Sequence, residues 1–383
     1  MRGFRVVIVG GVLVLAGGLA VAGPAYAQGN APGAPGANAT WDEPNVTGFA
    51  DSLGASSKLL SNSSLVWQQV DTADNGDFTI TKTYVADPGR SVIDVQTTFD
   101  NTSGTALRLY ADYHPQLDND GMGNTGGTDA ASGDLEAVNG SVASALAAST
   151  GFTQTSTGYV GSSSDGETML ISSHALTATY SSATTGGHID QLAEIPVAAS
   201  GATTFTLALA FGTSQAAAIS DASASLGAGF SSLEGSFESG WQSWLGGLAA
   251  APASVTGSPA LLTQYFVSLM EVKADEDKTF TGAFVAAPNV PWGASVNAGT
   301  GTGQSGAHGY HAVWTRDEYE MATALLAVGD KTDAMAALNY ILQFEVTSNG
   351  AVKQNTWLNG NTVFGSLQMD EVADPDHPGL PAR

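Results

Sequence analysis

Three groups of residues in the C-terminal half combine aromatic rings with polar and charged side chains. The second of them contains Trp314, Arg316 and Asp317 within four positions. An aromatic ring can stack on the C–H face of a sugar while a guanidinium and a carboxylate hydrogen-bond its hydroxyls. The same spacing at a helix start is equally typical of an acid near the helix dipole and a structural ion pair. The groups are Pro291 to Gly293, Tyr310 to Asp317, and Gln354 to Gly360 with Phe364 to Glu371.

Apolar residues at helical spacing surround these groups. Stripes of such residues begin after Pro259 and again at Met321, and Gly329-Asp330 ends the second stripe. We expect Thr332 to cap the next helix, so that the last two helices form an αα-hairpin. The predicted buried positions are Leu262, Phe266, Leu269 and Met270, then Ala324, Leu325 and Val328, then Ala334, Leu338, Ile341 and Leu342.

The N-terminal half has the two-residue alternation of β-strands. Phe78 to Val85 and Ser91 to Phe99 alternate on either side of Asp87-Pro88-Gly89, which predicts a hairpin. Phe205 to Phe211 is apolar on both faces, which favours a central strand. Short strands separated by turns indicate a β-sandwich, and Gln215 to Leu226 and Phe237 to Leu248 are compatible with short helices.

Several short motifs of the sequence (sequence words) resemble the bacterial glucoamylase/glucodextranase family, glycoside hydrolase family 15. They include Lys273 to Ala287, Val290 to Gly293, His308 to Asp317, Gln354 to Gly360 and Gln368 to Glu371. In the β half, Ile80 to Val85, Asp87-Pro88 and His114 to Gly121 also resemble that family. The resemblance implies an antiparallel super-β-sandwich followed by the start of an (α/α)₆ barrel, an α/α toroid, which here is incomplete.

The resemblance also implies the site and its reaction, the inverting release of glucose from non-reducing ends of an α-glucan. Arg316 and Asp317 would bind hydroxyls of the terminal glucose, Trp314 would line the same pocket, and Tyr310 would lie near the hydrolytic water. Trp292, Trp357 and Gln368 are further candidates for substrate contact. Glu371 is not catalytic in the family.

No catalytic residue is assigned in this chain. Both catalytic glutamates of the family lie downstream of the Gln-x-Asp-Glu word, and the Trp-Glu-Glu motif of the general acid is absent here. Three prolines among the last ten residues also interrupt the helix that the family would continue. We therefore expect a chain that ends before its acid and base and is inactive.

The first residues are typical of an export signal. Arg2 and Arg5 precede the apolar run Val6 to Ala22, and Ala25-Tyr26-Ala27 fits a cleavage site. We therefore expect a secreted, extracellular protein without a membrane anchor after cleavage. The expected divisions are a signal peptide (1–27), a disordered leader (28–44), the β-sandwich (45–213), a helical linker (214–254) and the partial barrel (255–383).

Composition limits the partners and cofactors. The formal net charge of −24 argues against nucleic acid, because phosphates require a basic surface. The absence of cysteine excludes disulfides, thiolate zinc sites and cysteine nucleophiles. Leu117 to Gly121 begins like a calcium loop, but Met122 breaks the ligand spacing, and the six histidines show no i,i+4 pair. We expect no metal and no cofactor, with Ca²⁺ as the one ion considered, and a monomer.

A second hypothesis remains open from the sequence. The Ser/Thr-rich β half and the missing carboxylates also fit a non-catalytic carbohydrate-binding or adhesive β-sandwich with a helical appendage.

Overall fold

The computed structural model describes residues 7–9, 53–73, 76–115, 117, 122–173, 175–286, 312–364 and 368–370. Among these residues, none of the helices combines the length and the apolar character needed to cross a bilayer. The expected leader, Trp292, Tyr310, Glu371 and most of Leu117 to Gly121 lie outside the described residues.

Fifteen strands are described, and thirteen of them belong to two antiparallel-rich sheets. Their bounds are β1 Val7–Val9, β2 Leu53–Leu59, β3 Trp67–Ala73, β4 Phe78–Ala86, β5 Val92–Asn101, β6 Leu109–Tyr113, β7 Asn124–Thr128, β8 Leu135–Asn139, β9 Val142–Ala148, β10 Gln154–Tyr159, β11 Ser182–Gly187, β12 Ile189–Ile195, β13 Gly201–Gly212, β14 Val313–Trp314 and β15 Asn355–Thr356. The strand order is β1-β6-β12-β10 in the smaller sheet and β11-β7-β8-β9-β13-β5-β4-β3-β2 in the larger.

Seven helices are described. They are α1 Gly166–Ser173, α2 Gln215–Ala228, α3 Phe230–Gly247, α4 Ala253–Thr256, α5 Pro259–Ala274, α6 Thr315–Ala327 and α7 Lys331–Tyr340, and a π-helical turn Ile341–Glu345 follows α7. A large antiparallel β unit is therefore followed by a helical region, which confirms the predicted fold class.

The two large sheets pack face to face, and helices cover their outer faces. Leu207 and Leu209 of β13 point into the core between the sheets, while Ala208 and Ala210 pack against α2 on the other face. β13 lies between β9 and β5, so the prediction of a central strand is confirmed. The hairpin predicted across Asp87-Pro88-Gly89 is confirmed as β4 and β5.

Two local expectations were wrong. Asp330, rather than Thr332, caps α7, because its side chain accepts from the backbone N–H of Asp333. Leu342 is exposed, since the wider π turn rotates the side chains away from the α-helical register.

The helical region packs on the β unit through α3. Phe237 and Trp241 of α3 contact Met270 of α5 and share a cluster with Val85 and Ala86 at the end of β4. α6 and α7 form the predicted αα-hairpin and bury Ala322 and Leu325 against Ala337. Of the predicted stripe on α5, Leu269 and Met270 are buried, while Leu262 and Phe266 are half-buried.

Candidate active site

The candidate site begins where β14 leads directly into α6. Thr315 and Glu318 in the first turn are buried, whereas Arg316 and Asp317 face outward and are half-buried. Asp317, near the free N–H groups of the first turn, is placed where a carboxylate interacts favourably with the helix dipole. The helix start therefore presents a guanidinium and a carboxylate side by side at the surface.

A two-residue ladder joins this helix start to the second group of sequence words. Val313 of β14 pairs with Thr356 of β15, and Trp314 pairs with Asn355. Asn355 is buried, and its Oδ1 accepts from the backbone N–H of Phe364 at 2.9 Å. The ring of Trp314 lies 6.4 Å from that of Phe364, centroid to centroid. Segments 40 residues apart thus meet at one point.

Polar side chains form a continuous network at this point. Arg316 donates through one terminal nitrogen to Asp317 Oδ2 at 3.2 Å and through the other to Asp370 Oδ2. Gln368 Nε2 donates to the same Asp370 oxygen at 3.2 Å, and Gln354 Nε2 donates to Gln368 Oε1 at 3.0 Å. Donors and acceptors in such an array can exchange these bonds for the hydroxyls of a sugar.

The two carboxylates of the network differ in their electrostatics. Partial burial raises the pKa of Asp317, and the Arg316 guanidinium opposes this increase. The hydrogen bond from Arg316 lowers the pKa of Asp370, which lies at the surface. Arg316 therefore has an ionised partner at Asp370 and a half-buried partner at Asp317.

Two buried acidic residues, Glu318 and Glu345, support the β14–β15 ladder. Neither was predicted from the sequence motifs. Glu318 is fully buried, accepts from the backbone N–H of Phe284 at 3.0 Å, and has a pKa well above its usual value because of burial. Glu345 is also buried and accepts from Thr356 Oγ1 at 2.5 Å. The Tyr340 hydroxyl lies 3.0 Å from Thr356 Oγ1 and donates to the backbone oxygen of Trp357 at 2.9 Å. These bonds fix β15 and the following turn.

The structure brings most, but not all, of the candidate residues to one place. Arg316, Asp317 and Gln368 share the network, and Trp314 lies beside it with 8% of its surface exposed. Trp357 is half-buried and starts the turn that ends at Gly360, whose backbone N–H donates to the Trp357 oxygen at 2.7 Å. Asp370, which carries two bonds of the network, was not among the predicted contacts.

A cavity lies elsewhere in the described part of the chain. It has a volume of about 200 Å³ and is lined by Pro88, Phe237, Trp241, Trp244 and Lys273. None of the network residues lines it, so we base the candidate site on the network and not on the cavity.

Comparisons with known proteins cover both halves of the chain. The profile of the family described as "Glucodextranase, domain N" matches residues 56–246, and that of "Glycosyl hydrolases family 15" matches residues 261–374. A curated glucoamylase of Clostridium sp. (strain G0005) is 32% identical over 320 residues, which cover 82% of this chain and 43% of the relative.

A solved structure agrees with this match. The crystal structure of a bacterial glucoamylase complexed with acarbose has a TM-score of 0.73 and 31% sequence identity, covering 84% of this chain and 46% of the other. The chain thus spans less than half the length of each of these relatives.

Proposed function

Since this chain belongs to glycoside hydrolase family 15, the glucoamylase/glucodextranase family, we propose that it carries the N-domain and first barrel helices of a secreted α-glucan exo-hydrolase. The substrate would be an oligosaccharide or polysaccharide, shortened by one glucose at a time from its non-reducing end. The basic, apolar and small-residue pattern of residues 2–27 supports export to the extracellular space.

The observation that carries this proposal is the network of Arg316, Asp317, Gln354, Gln368 and Asp370. Its members come from three separate sequence words that resemble the family, and the β14–β15 ladder brings these words together. A planar guanidinium between two carboxylates can direct its remaining N–H groups at adjacent hydroxyls of one ring. The bacterial relative forms a complex with acarbose, which supports an oligosaccharide as the ligand of this chain.

The reaction we propose is hydrolysis with inversion. It requires a carboxylic acid that protonates the glycosidic oxygen and a carboxylate, about 6.5–9.5 Å away, that activates water. Glu318 and Glu345 are poor candidates for these roles, because both are fully buried and are bound to a backbone N–H and a threonine hydroxyl, respectively. With no Trp-Glu-Glu word in its 383 residues, we propose that this chain binds the terminal sugar but does not cleave it.

Glucose release from soluble starch and from dextran tests the proposal. We expect no release from this chain, and release from a fusion in which the remaining barrel of the Clostridium relative follows residue 370. The preferred polymer then reports the linkage specificity. A folded fusion without glucose release would contradict the assignment, and turnover by the chain alone would contradict its inactivity.

The Asp317→Asn variant of the fusion links the result to the network. This substitution removes the negative charge of Asp317 and keeps the shape of the side chain. We expect a lower kcat/KM because a hydroxyl of the terminal glucose loses a charge-assisted hydrogen bond. Asp129→Asn, at a half-buried position before a turn of the β unit, is the matched control and should leave the rate unchanged.

A further inference from the structure

A second cluster of ligand-type side chains lies in the β unit, far along the sequence from the candidate active site. Asp112 of β6 and His114 just beyond it point to the same side of the smaller sheet, because strand side chains alternate. β12 runs antiparallel to β6 with Leu192 opposite Asp112, and this register continues to place Asp190 opposite His114. Glu167 in the first turn of α1 completes the group, which we call the β6–β12 cluster.

The ligand atoms of this cluster are close together. His114 Nε2 lies 3.0 Å from Asp112 Oδ1 and 3.3 Å from Asp190 Oδ1. One ligand atom from each of Asp112, His114 and Glu167 lies within 4.8 Å of the others. The separations are those of groups that converge on one point.

Apart from the ion-pair contacts of His114 with Asp112 and Asp190, these buried atoms lack the aligned hydrogen bonds that burial normally requires. The side chains of Asp112 and Asp190 are 0% exposed. Within the part of the chain that the structure describes, both oxygens of Asp112, Oδ1 of Asp190 and Nε2 of His114 have no aligned hydrogen-bond partner. Burying carboxylates in this way is costly unless a cation or a set of donors compensates them.

The other oxygen of Asp190 is firmly held. Asp190 Oδ2 accepts from the backbone N–H groups of Gly166 at 2.5 Å and Glu167 at 3.1 Å, at the start of α1. A Cβ at position 166 would lie 2.2 Å from Leu192 Cδ1, so glycine permits this close approach. The contact directs Oδ1 of Asp190 towards His114, as the outer hydrogen bonds of metal-binding carboxylates do.

We propose that the β6–β12 cluster binds one divalent transition-metal ion, with Zn²⁺ as the best fit. Ligands about 2.0–2.2 Å from such an ion, with ligand–metal–ligand angles between 90° and the tetrahedral value, are about 2.8–3.6 Å from one another. The observed separations of 3.0 and 3.3 Å fall in this range. An imidazole among carboxylates favours Zn²⁺ over Ca²⁺, which takes six to eight oxygen ligands.

The ion would connect α1 to the smaller sheet. α1 covers the outer face of that sheet through Leu170, which packs with Tyr110 and Leu192 beside the cluster. The ring of His188 lies 5.6 Å from that of His114 and borders the same space. Because the ligands come from β6, β12 and α1, bound metal would stabilise the folded β unit by mass action.

Metal titration of the 383-residue chain tests this proposal. The protein is treated with a chelator, its fold is checked by circular dichroism, and ZnCl₂ is added in a calorimeter and in a thermal melt. We expect one equivalent to bind, and a Tm about 5–10 °C higher at a hundredfold excess over Kd. A folded chelated protein that shows neither heat nor a Tm shift with Zn²⁺ would overturn the proposal, as would stabilisation by Ca²⁺ alone.

Variants identify the ligands. His114→Ala and Asp190→Asn should each weaken Zn²⁺ binding at least about tenfold. Glu194→Gln, which lies on the same strand β12 outside the cluster, should bind as the parent does. Undiminished binding by folded His114→Ala protein would overturn the assignment.

If the variants fail to fold, Co²⁺ added to the chelated parent protein gives the decision. A one-equivalent visible absorption band that Zn²⁺ displaces would support the site. The absence of such a band would overturn it.

Discussion

Trp314 and Asn355 are paired opposite each other in a two-residue antiparallel ladder. Arg316 and Asp317 lie two and three positions after Trp314, and Gln354 directly precedes Asn355, so the ladder brings both polar groups to one edge of the site. Asn355 also holds the backbone N–H of Phe364, whose ring contacts Trp314. The pairing therefore determines which side chains can reach the same ligand.

Replacing Arg316 tests this arrangement through ligand affinity. In the active fusion described above, Arg316→Ala should raise the Kd for acarbose about 10- to 100-fold, because charge-assisted hydrogen bonds are lost. Arg316→Lys keeps the positive charge but loses the planar, two-pronged hydrogen-bonding geometry of the guanidinium. Its Kd for acarbose should therefore lie between those of the parent fusion and Arg316→Ala. Calorimetry measures all three values.

The control for Arg316 is Arg108→Ala. Arg108 pairs with Glu194 on the β unit at 3.3 Å and takes no part in the network. Its replacement should leave acarbose binding unchanged. Equal Kd values for Arg316→Ala and the parent fusion would remove Arg316 from the binding site.

The helices and the central strand could be predicted because each repeats one pattern over many residues. α6 carries buried side chains at helical spacing, β13 contains a continuous run of buried residues, and the sequence identified both. The ladder of β14 and β15 could not be predicted, since two residues are too few to show a period. Arg316 and Asp317 were found from residue type and resemblance, whereas Asp370 required the fold that brings it to Arg316.

Buried polar groups were the other features that the sequence could not predict. Glu318 lies one position after Asp317, yet it is buried while Asp317 is half-exposed, because the helix start turns the two side chains to opposite faces. Asp112 and Asp190 are separated by 78 residues and meet only through the register of β6 and β12. Patterns of residue type do not contain this information.

From the burial of Asp94 we predict that the free energy of unfolding decreases as the pH rises. Asp94 is fully buried on β5, and its Oδ2 lies 2.7 Å from Ser225 Oγ of α2, which is also 2.9 Å from Asp87 Oδ2. The Ser225 hydroxyl has one proton and can donate it to only one of the two carboxylates. When it donates to Asp87, a protonated Asp94 can donate to the Ser225 oxygen, so that all three groups are hydrogen-bonded. Burial accordingly raises the pKa of Asp94 to about 7.

The sign follows from proton uptake. Between the unfolded pKa near 4 and the folded pKa near 7, the folded chain holds a proton that the unfolded chain has lost, so the free energy of unfolding falls with rising pH. The decrease due to Asp94 is about 3–4 kcal/mol across this window. Urea unfolding of Asp94→Asn should lack it, while Asp100→Asn, half-buried on the same strand, should retain it. An identical pH slope in Asp94→Asn and the parent would refute this account.

Lys273 connects α5 to the hairpin of α6 and α7. Its Nζ contacts Glu276 and lies 2.6 Å from Asp333 Oδ2, and the three side chains are 5–15% exposed. Burial alone would lower the pKa of Lys273, but the two carboxylates outweigh it and raise that pKa. Lys273→Met keeps the apolar stem, but it leaves Asp333 without this ion pair and Glu276 with only the more distant Lys278, at 3.9 Å. This change should cost about 3 kcal/mol of unfolding free energy.

Two further variants separate charge from packing at Lys273. Lys331→Met, at an exposed position that starts α7, should change the unfolding free energy by less than about 0.5 kcal/mol. Adding Glu276→Gln to Lys273→Met should recover part of the lost unfolding free energy, because it removes the negative charge of Glu276 that Lys273 no longer neutralises. Equal urea midpoints for Lys273→Met and Lys331→Met would show that the ion pairs do not hold the hairpin.

Alanine variants of Gly282 and Gly350 distinguish the cost of backbone strain from the cost of close packing. The φ angles of the two glycines are +85° and +83°, so an alanine at either position adopts a left-handed conformation that costs about 1–2 kcal/mol. A Cβ at Gly282 would also lie 2.2 Å from the backbone oxygen of Ala336 in α7, whereas a Cβ at Gly350 meets nothing within 4 Å. Gly350→Ala should therefore lose about 1–2 kcal/mol of unfolding free energy, and Gly282→Ala at least about 3 kcal/mol, because α7 must move or its packing must open. Urea unfolding of the two variants measures the difference, and equal losses would mean that the chain at Gly282 does not approach α7 this closely.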